Sequence, residues 1–195
     1  MKKDIKTTKD LPTKPLYRCS PTKQNLITFA KTLLPYISEK THFVCIGANY
    51  QKVSDSFGPM VGSLLEKKGF INVSGTMERG VHALNLDAIS KDIPSDMFVI
   101  AIDASHVKKE YLGMVVIREG SLKPGTGVGK ALPSIGNLSI YGGIAETKPS
   151  VDWDFLYNPV CIERAEKMAE FVAEAIDLAY LIKEVDLPVL VEARS

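Results

Sequence analysis

The chain has 195 residues, of which 45% are hydrophobic and 24% charged, a composition typical of one ordinary globular domain. Its 24 Lys and Arg are balanced by 23 Asp and Glu, so the net charge of +1 provides no basic excess for a nucleic acid or an acidic membrane. The 3 cysteines are too few for a disulfide framework and form no CxxC pair for zinc, which favours a cytoplasmic setting. No apolar run reaches the roughly 20 residues of a membrane span, and the basic N-terminus lacks the apolar centre of a secretory signal.

Composition divides the chain into three segments. Residues 1–22 are rich in Lys, Thr and Pro without apolar periodicity, so we expect a flexible N-terminal arm. A single α/β domain is predicted over residues 23–188. Residues 189–195, which follow Pro188, are expected to form a C-terminal tail.

Helical periodicity alternates with short apolar runs along the predicted domain. The expected elements are, in chain order, a helix over 23–37, a strand over 43–47, a helix over 60–68, a strand over 70–74, a helix over 85–92, strands over 97–102, 113–117 and 138–141, and a helix over 159–184. Continuous apolar runs such as 97–102 are typical of strands buried on both faces. The alternation predicts a three-layer α/β sandwich, a mainly parallel sheet with helices on both faces.

Two aspartates fall where an open α/β sheet places its ligand crevice, beyond the carboxyl ends of the strands. Asp55 lies in the loop after the strand over 43–47, and Asp103 ends the strand over 97–102. If these strands are neighbours, the two carboxyl groups converge, and because both cannot ionise cheaply one of them holds a proton and the pair can act as acid and base. The alternative is structural: Asp55 caps or buttresses the following helix, and Asp103 is a turn residue.

A glycine-rich loop, KPGTGVG over residues 123–129, separates the last two predicted strands. It lacks the GxxxxGK[ST] spacing of a nucleotide-binding loop, and its glycines could serve only to permit tight turns. We expect the loop to form one wall of the crevice, where its small residues admit a substrate backbone. The residues expected to contact the substrate there are Pro124, Gly125, Thr126 and Gly127.

Several segments, taken in order, resemble the spore protein YyaC family. They are NYQKVSDSFGP over 49–59, AIDA over 101–104 and LKPGTGVGK over 122–130, and the run HALNL over 82–86 adds to the match. The chain is also similar, more distantly, to the germination protease, an endopeptidase that degrades small acid-soluble spore proteins, and more weakly to the hydrogenase maturation peptidases. The resemblance covers residues 43–143.

The resemblance implies a phosphorylase/hydrolase-like fold and a peptidase that acts on a protein or peptide substrate in sporulation. Asp55 and Asp103 occupy the positions that match the proposed acid pair of the germination protease. We expect Asn49, His82 and Ser105 to line the crevice beside the glycine-rich loop and contact the substrate.

Two alternatives remain open at this point. One is a non-catalytic protein that keeps the crevice to bind a peptide or protein. The other is a metal-dependent peptidase that adds His82 or His106 to Asp55 and Asp103, since zinc normally takes three protein ligands and two carboxylates alone are a weak site. The leading interpretation uses the acid pair alone and expects no metal and no cofactor.

Overall fold

The computed structural model describes residues 14–50, 53–124, 133–148 and 154–192, the last seven of these by their backbone only. Within these ranges the strands are β1 (Tyr17–Cys19), β2 (Thr41–Cys45), β3 (Val73–Ser74), β4 (Phe98–Val107), β5 (Val115–Glu119) and β6 (Leu138–Glu146). The α-helices are α1 (Lys23–Leu33), α2 (Phe57–Lys67), α3 (Leu86–Asp92), α4 (Asp154–Tyr157) and α5 (Pro159–Glu192). None of the helices in the described ranges is long and apolar enough to cross a membrane.

All six strands form one sheet in the order β1-β5-β6-β4-β2-β3. Strands β6, β4, β2 and β3 are parallel to one another. Strand β5 pairs with β6 in antiparallel fashion, and β1 pairs with β5 in the same way. The central strands are buried on both faces, which explains why their sequences are nearly continuous apolar runs. The predicted mainly parallel sheet is confirmed.

Helices cover both faces of this sheet. Helices α1, α2 and α5 pack on one face, where the larger core includes Phe43 of β2 and Ile102 of β4. A smaller core on the opposite face joins Val44 and Ala101 to Leu86 of α3. The predicted three-layer α/β architecture is therefore confirmed. Because neighbouring residues of a strand point to opposite faces, Asp103 lies on the α3 face with Ala101.

The N-terminal boundary differs from the sequence-based expectation. Residues 17–19, assigned to the flexible arm over 1–22, instead form β1, which pairs with β5 through the register Arg18 to Val116. Cys19 of this strand is only 7% exposed. A strand of three residues is too short to show periodicity, and its order comes from a pairing with residues about a hundred positions away. Residues 1–13 lie outside the described part of the chain.

Three other elements extend five or more residues beyond their expected ends. Strand β4 was expected to stop at residue 102 and β6 at 141, but they pair as far as Val107 and Glu146, with a register shift after Ser105. Asp103 therefore lies inside β4 rather than at its end. Helix α5 continues past Pro188 to Glu192, so residues 189–192 of the expected C-terminal tail are helical.

Candidate functional site

Asp55 is held in a short turn between β2 and α2. The turn is a 3₁₀ helix over Ser54–Ser56, and it is preceded by Gly47, whose φ is +149°. A Cβ at Gly47 would lie 2.1 Å from the backbone oxygen of Asp55, so only glycine allows this approach. The Asp55 carboxylate accepts a hydrogen bond from the backbone N–H of Ala48 over 3.1 Å, which fixes its direction.

Two buried serines anchor the turn on either side of Asp55. The Ser54 hydroxyl donates to the backbone oxygen of Phe155 in α4 at 2.9 Å, and the Ser56 hydroxyl donates to the backbone oxygen of Tyr50 at 2.7 Å. Both serine side chains are essentially inaccessible to solvent. The turn is thus attached to two separate segments, which limits the positions that Asp55 can adopt.

Helix α2 begins against the end of β2 and the middle of β4. A Cβ at Gly58 would lie 2.2 Å from the backbone oxygen of Ile46 and 2.9 Å from that of Ile102. The first turn of α2 therefore lies against the sheet at the point where Asp103 follows Ile102. Asp55 comes just before this turn and is brought to the same place. Asp103 has Tyr141 of β6 as its cross-strand partner, while β2 ends beside it.

The two carboxyl groups have unequal acidities. Burial raises the pKa of Asp55, and the hydrogen bond from Ala48 opposes part of that effect. The pKa of Asp103 is raised well above its usual value, first by burial and then by the negative charge of Asp55, against a smaller opposing effect of the Ala104 backbone N–H. Of the two carboxyl groups, Asp103 therefore holds its proton more tightly, and Asp55 is the one that ionises first as the pH rises.

Two specific structural roles, helix cap and turn residue, are not seen for these aspartates in the described residues. Helix α2 has Ser56 at its N-cap position with no side-chain capping bond, and the Asp55 carboxylate accepts from Ala48 instead. Asp103 lies within the β4–β6 ladder, so it is not a turn residue.

Of the residues expected to contact a substrate, Asn49 and His82 are brought to neighbouring loops. A Cβ at Gly80 would lie 2.6 Å from the Asn49 side chain, so these two segments are in close contact. His82 is exposed; its backbone N–H donates to the Asn85 side chain at 2.8 Å, and its Nδ1 accepts from Leu84 at 3.3 Å. His82 is thus tied to its own loop rather than to either aspartate.

The other residues that were expected to contact the substrate lie further along the chain. Ser105 is partly exposed on β4, two residues beyond Asp103, and its hydroxyl donates to the backbone oxygen of His106 at 3.3 Å. Pro124 is buried. Gly125, Thr126 and Gly127 lie outside the described residues.

The histidines considered as metal ligands do not complete a ligand set in the described ranges. The ring of His106 packs edge-on against Phe155 with 4.4 Å between centroids, and burial lowers its pKa. Among the residues that the structure describes, no group of three His, Cys, Asp or Glu side chains could hold a metal ion.

Tyr141 is a site residue that the sequence reasoning missed. It is paired with Asp103 across the β4–β6 ladder. Its phenol pKa is raised by burial and further by the charge of Asp103, while Ser139 and the charge of Arg118 act in the opposite direction. The predicted strand over 138–141 contained Tyr141, but its position beside Asp103 depends on a register that no local pattern reveals.

The chain is similar to known proteins both in its fold and in its sequence. The fold is similar to the crystal structure of a [NiFe] hydrogenase maturation protease, HycI, from Thermococcus kodakarensis KOD1, with 20% identity and a TM-score of 0.41 over 74% of this chain and 97% of that one. The chain is 36% identical over 140 residues to the uncharacterized protein YyaC of Bacillus subtilis (strain 168), which covers 69% of this chain and 67% of YyaC. Residues 18–175 match the model of a family described as protein of unknown function, DUF1256. The resemblance to YyaC seen in the ordered motifs is confirmed, and the chain belongs to the DUF1256 family.

Proposed function

We propose that this protein is a peptidase in which Asp55 and Asp103 activate a water molecule against a peptide bond. The observation that carries the proposal is the docking of α2 against Ile46 and Ile102, which brings the Asp55 turn beside Asp103, so that the charge of Asp55 helps to raise the pKa of Asp103. Strongly shifted carboxyl pairs at the carboxyl ends of strands are favoured places for acid–base chemistry. The peptide substrate and a role in sporulation come from the resemblance of the motifs to the YyaC family and to the germination protease.

The unequal pKa values assign the two roles. Asp55, the carboxylate, accepts a proton from the attacking water, whose oxygen forms a bond to the carbonyl carbon of the peptide. Asp103, the carboxylic acid, donates its proton to the carbonyl oxygen, which gives a neutral gem-diol. In the second step the proton on Asp55 passes to the leaving nitrogen, the C–N bond breaks, and one gem-diol hydroxyl returns its proton to Asp103. Both residues regain their starting states, and the products are an amine and an acid.

The proposal is tested by incubating the purified protein with spore protein extracts and with peptide mixtures. The Asp55→Asn and Asp103→Asn variants are each expected to abolish cleavage while remaining folded, because asparagine preserves shape but cannot exchange the proton. Asp96→Asn is the matched control and should leave cleavage intact. Asp96 is an exposed carboxylate whose ionic partner is Lys40, at 2.8 Å, rather than a residue of the site.

Two further results separate the alternatives. Cleavage that a chelator stops and that zinc or nickel restores would replace the acid pair with a metal mechanism. A stable fold that cleaves nothing, yet binds a protein partner equally well with both substitutions, would show a non-catalytic binding protein and refute the peptidase proposal.

A further inference from the structure

A cavity of about 290 Å³ lies between the Asp55 turn, the start of α5 and the loop after β3. Most of the side chains around it are apolar or aromatic, and they come from four separate segments: Tyr50, Val53, Met60, Met77 and Ile162. Small-ligand sites begin at about 300 Å³ and combine a mainly apolar lining with a few polar groups. The cavity therefore has the size and the lining of a site for a small molecule.

The wall of the cavity that carries Met77 is fixed against α2. A Cβ at Gly62 of α2 would lie 1.9 Å from the backbone oxygen of Gly75, so this close approach requires glycine. The backbone N–H of Met77 donates to the Ser63 hydroxyl at 2.9 Å. Because these contacts hold the wall in place without a ligand, binding there needs little rearrangement of the protein.

Glu166 supplies a negative charge to this lining. Its side chain is exposed, and it makes no ion pair with any residue that the structure describes. Three basic residues on the surrounding elements are paired with other carboxylates: Lys167 with Glu163, Lys68 with Asp177, and Arg79 with Glu66. The Glu166 carboxylate is thus available to a cation from solution.

The neighbouring side chains also favour a cation that carries an apolar group. A tyrosine ring such as that of Tyr50 attracts cations through the negative charge of its π face. The thioethers of Met60 and Met77 are polarisable and adapt to ligands of irregular shape. An anion, by contrast, would be repelled by the charge of Glu166. This combination matches an ammonium group on an apolar body.

We propose that this cavity binds a small organic cation, with its ammonium group at Glu166 and its aromatic or branched body against Met60, Met77 and Ile162. An ammonium group provides three donors for a carboxylate. A lysine side chain carries the same charge but is thin and unbranched, so it fills less of the cavity, and we expect a free amine rather than a protein side chain. The site does not depend on the proposed peptidase activity.

A ligand in the cavity is linked to the turn that carries Asp55. Ser56 and Tyr50 both line the cavity, and the Ser56 hydroxyl donates to the backbone oxygen of Tyr50 at 2.7 Å. Opening of the turn separates these two residues and removes the site, so a bound cation favours the closed turn. The backbone N–H of Ala48, which donates to the Asp55 carboxylate, should then exchange its hydrogen more slowly.

Binding is tested by NMR titration of the full chain, isotope-labelled at its methionine methyl groups, with phenethylamine, phenethyl alcohol and hydrocinnamate. The signals of Met60 and Met77 should shift, whereas those of Met97 and Met114, which do not line the cavity, should not. We expect phenethylamine to bind with a Kd about fivefold lower than the alcohol, which is the size of a favourable exposed ion pair. The anion hydrocinnamate should bind more weakly than the alcohol.

Two variants assign the charge preference to Glu166. Glu166→Gln should lower the preference for phenethylamine over the alcohol to about onefold and leave the Kd of the alcohol unchanged. Glu170→Gln is the matched control, since Glu170 is exposed on the same helix but does not line the cavity, and it should keep the full preference.

Three results would overturn the site. They are equal Kd values for the amine and the alcohol in the wild type, a preference that survives in Glu166→Gln, and shifts that leave the Met60 and Met77 signals unmoved. N-acetyl lysine amide is the probe for a protein side chain. If it binds as tightly as phenethylamine, the assignment to a free amine is wrong.

The link to the turn is tested by hydrogen exchange of the Ala48 amide. With phenethylamine at about ten times its Kd, exchange should slow by about tenfold, because a ligand that binds only the closed form raises protection by that ratio. The Gly120 amide donates to the backbone oxygen of Asn137 at 2.8 Å at the opposite end of the sheet, and its local exchange should not change. Binding that shifts Met60 and Met77 without slowing Ala48 would refute the link to Asp55.

Discussion

Replacing Asp103 with asparagine is expected to stabilise the protein at neutral pH and to change its stability little near pH 4. In the folded state the pKa of Asp103 is raised well above its usual value by burial and by the charge of Asp55. A carboxyl group with a raised folded pKa binds its proton more tightly in the native state than in the unfolded state. Its contribution to stability is complete below the unfolded pKa of about 3.9 and is lost as the pH rises through the folded pKa.

The size of the effect follows from proton linkage. Between the two pKa values the wild type loses up to about 1.4 kcal/mol of unfolding free energy for each pH unit, because one proton is released on unfolding of the folded, protonated form. Asparagine resembles the protonated carboxyl in shape and does not titrate, so Asp103→Asn escapes this loss. The difference between variant and wild type should therefore grow from near zero at pH 4 and level off once the pH exceeds the folded pKa.

The measurement is urea unfolding of the wild type and Asp103→Asn at intervals from pH 4 to pH 8. Asp96→Asn is a control in which the pH dependence of stability has the opposite sign. The hydrogen bond and charge of Lys40 hold the pKa of Asp96 below its usual value. Asp96 therefore contributes to the unfolding free energy above its unfolded pKa, and this contribution is lost as the pH falls. Parallel curves for wild type and Asp103→Asn, or a variant that is less stable at pH 7, would refute the burial and charge coupling assigned to Asp103.

Two other outcomes are expected. Gly47→Ala should lower the unfolding free energy by at least about 2 kcal/mol and abolish cleavage, because the new Cβ meets the Asp55 backbone oxygen at 2.1 Å. The control Gly120→Ala has open space around it and a φ of +93°, so it should lower the unfolding free energy by only about 1 to 2 kcal/mol. Equal losses in the two variants would contradict the steric argument. Removing residues 1–13 should leave the thermal midpoint of unfolding unchanged, because that segment has few apolar groups. Removing residues 1–22 also deletes β1 and should lower the midpoint by several degrees. Equal midpoints for the two truncations would show that β1 adds no stability.

The parallel part of the sheet could be predicted because its strands and helices carry local signals. The run Val99–Ile102 is apolar at every position, as a strand covered on both faces requires. At the start of α5, the Asn158 side chain accepts a hydrogen bond from the backbone N–H of Val160 at 2.9 Å, and an asparagine cap ahead of a proline is a local signal for the start of a helix. Such signals involve residues within a few positions of one another, so a single sequence contains them completely.

The neighbours of the aspartates could not be predicted in the same way. The rule that a ligand crevice lies beyond the carboxyl ends of the strands selected Asp55 and Asp103 from their own strands. It does not predict which strand lies beside β4 or in which register the two strands pair. Tyr141 becomes the partner of Asp103 only through the β4–β6 pairing, which extends into the polar residues after Ile102. Gly47 did carry a detectable signal, a glycine between an apolar run and an aspartate loop, but its close contact with Asp55 depends on how α2 docks.

The short edge strand β1 has the most direct consequence for experiments on the N-terminal segment. Arg18 lies in the segment that composition alone marks as a dispensable arm, yet it projects from the same sheet face as Asp103. A truncation to residue 22 removes β1, so a lower activity in that variant would report loss of the sheet edge as well as loss of the arm. An inhibitory role for the N-terminal segment is therefore testable only by removing residues 1–13, which leaves β1 and Arg18 in place. Increased cleavage after that shorter deletion would indicate a propeptide, and unchanged cleavage would refute one.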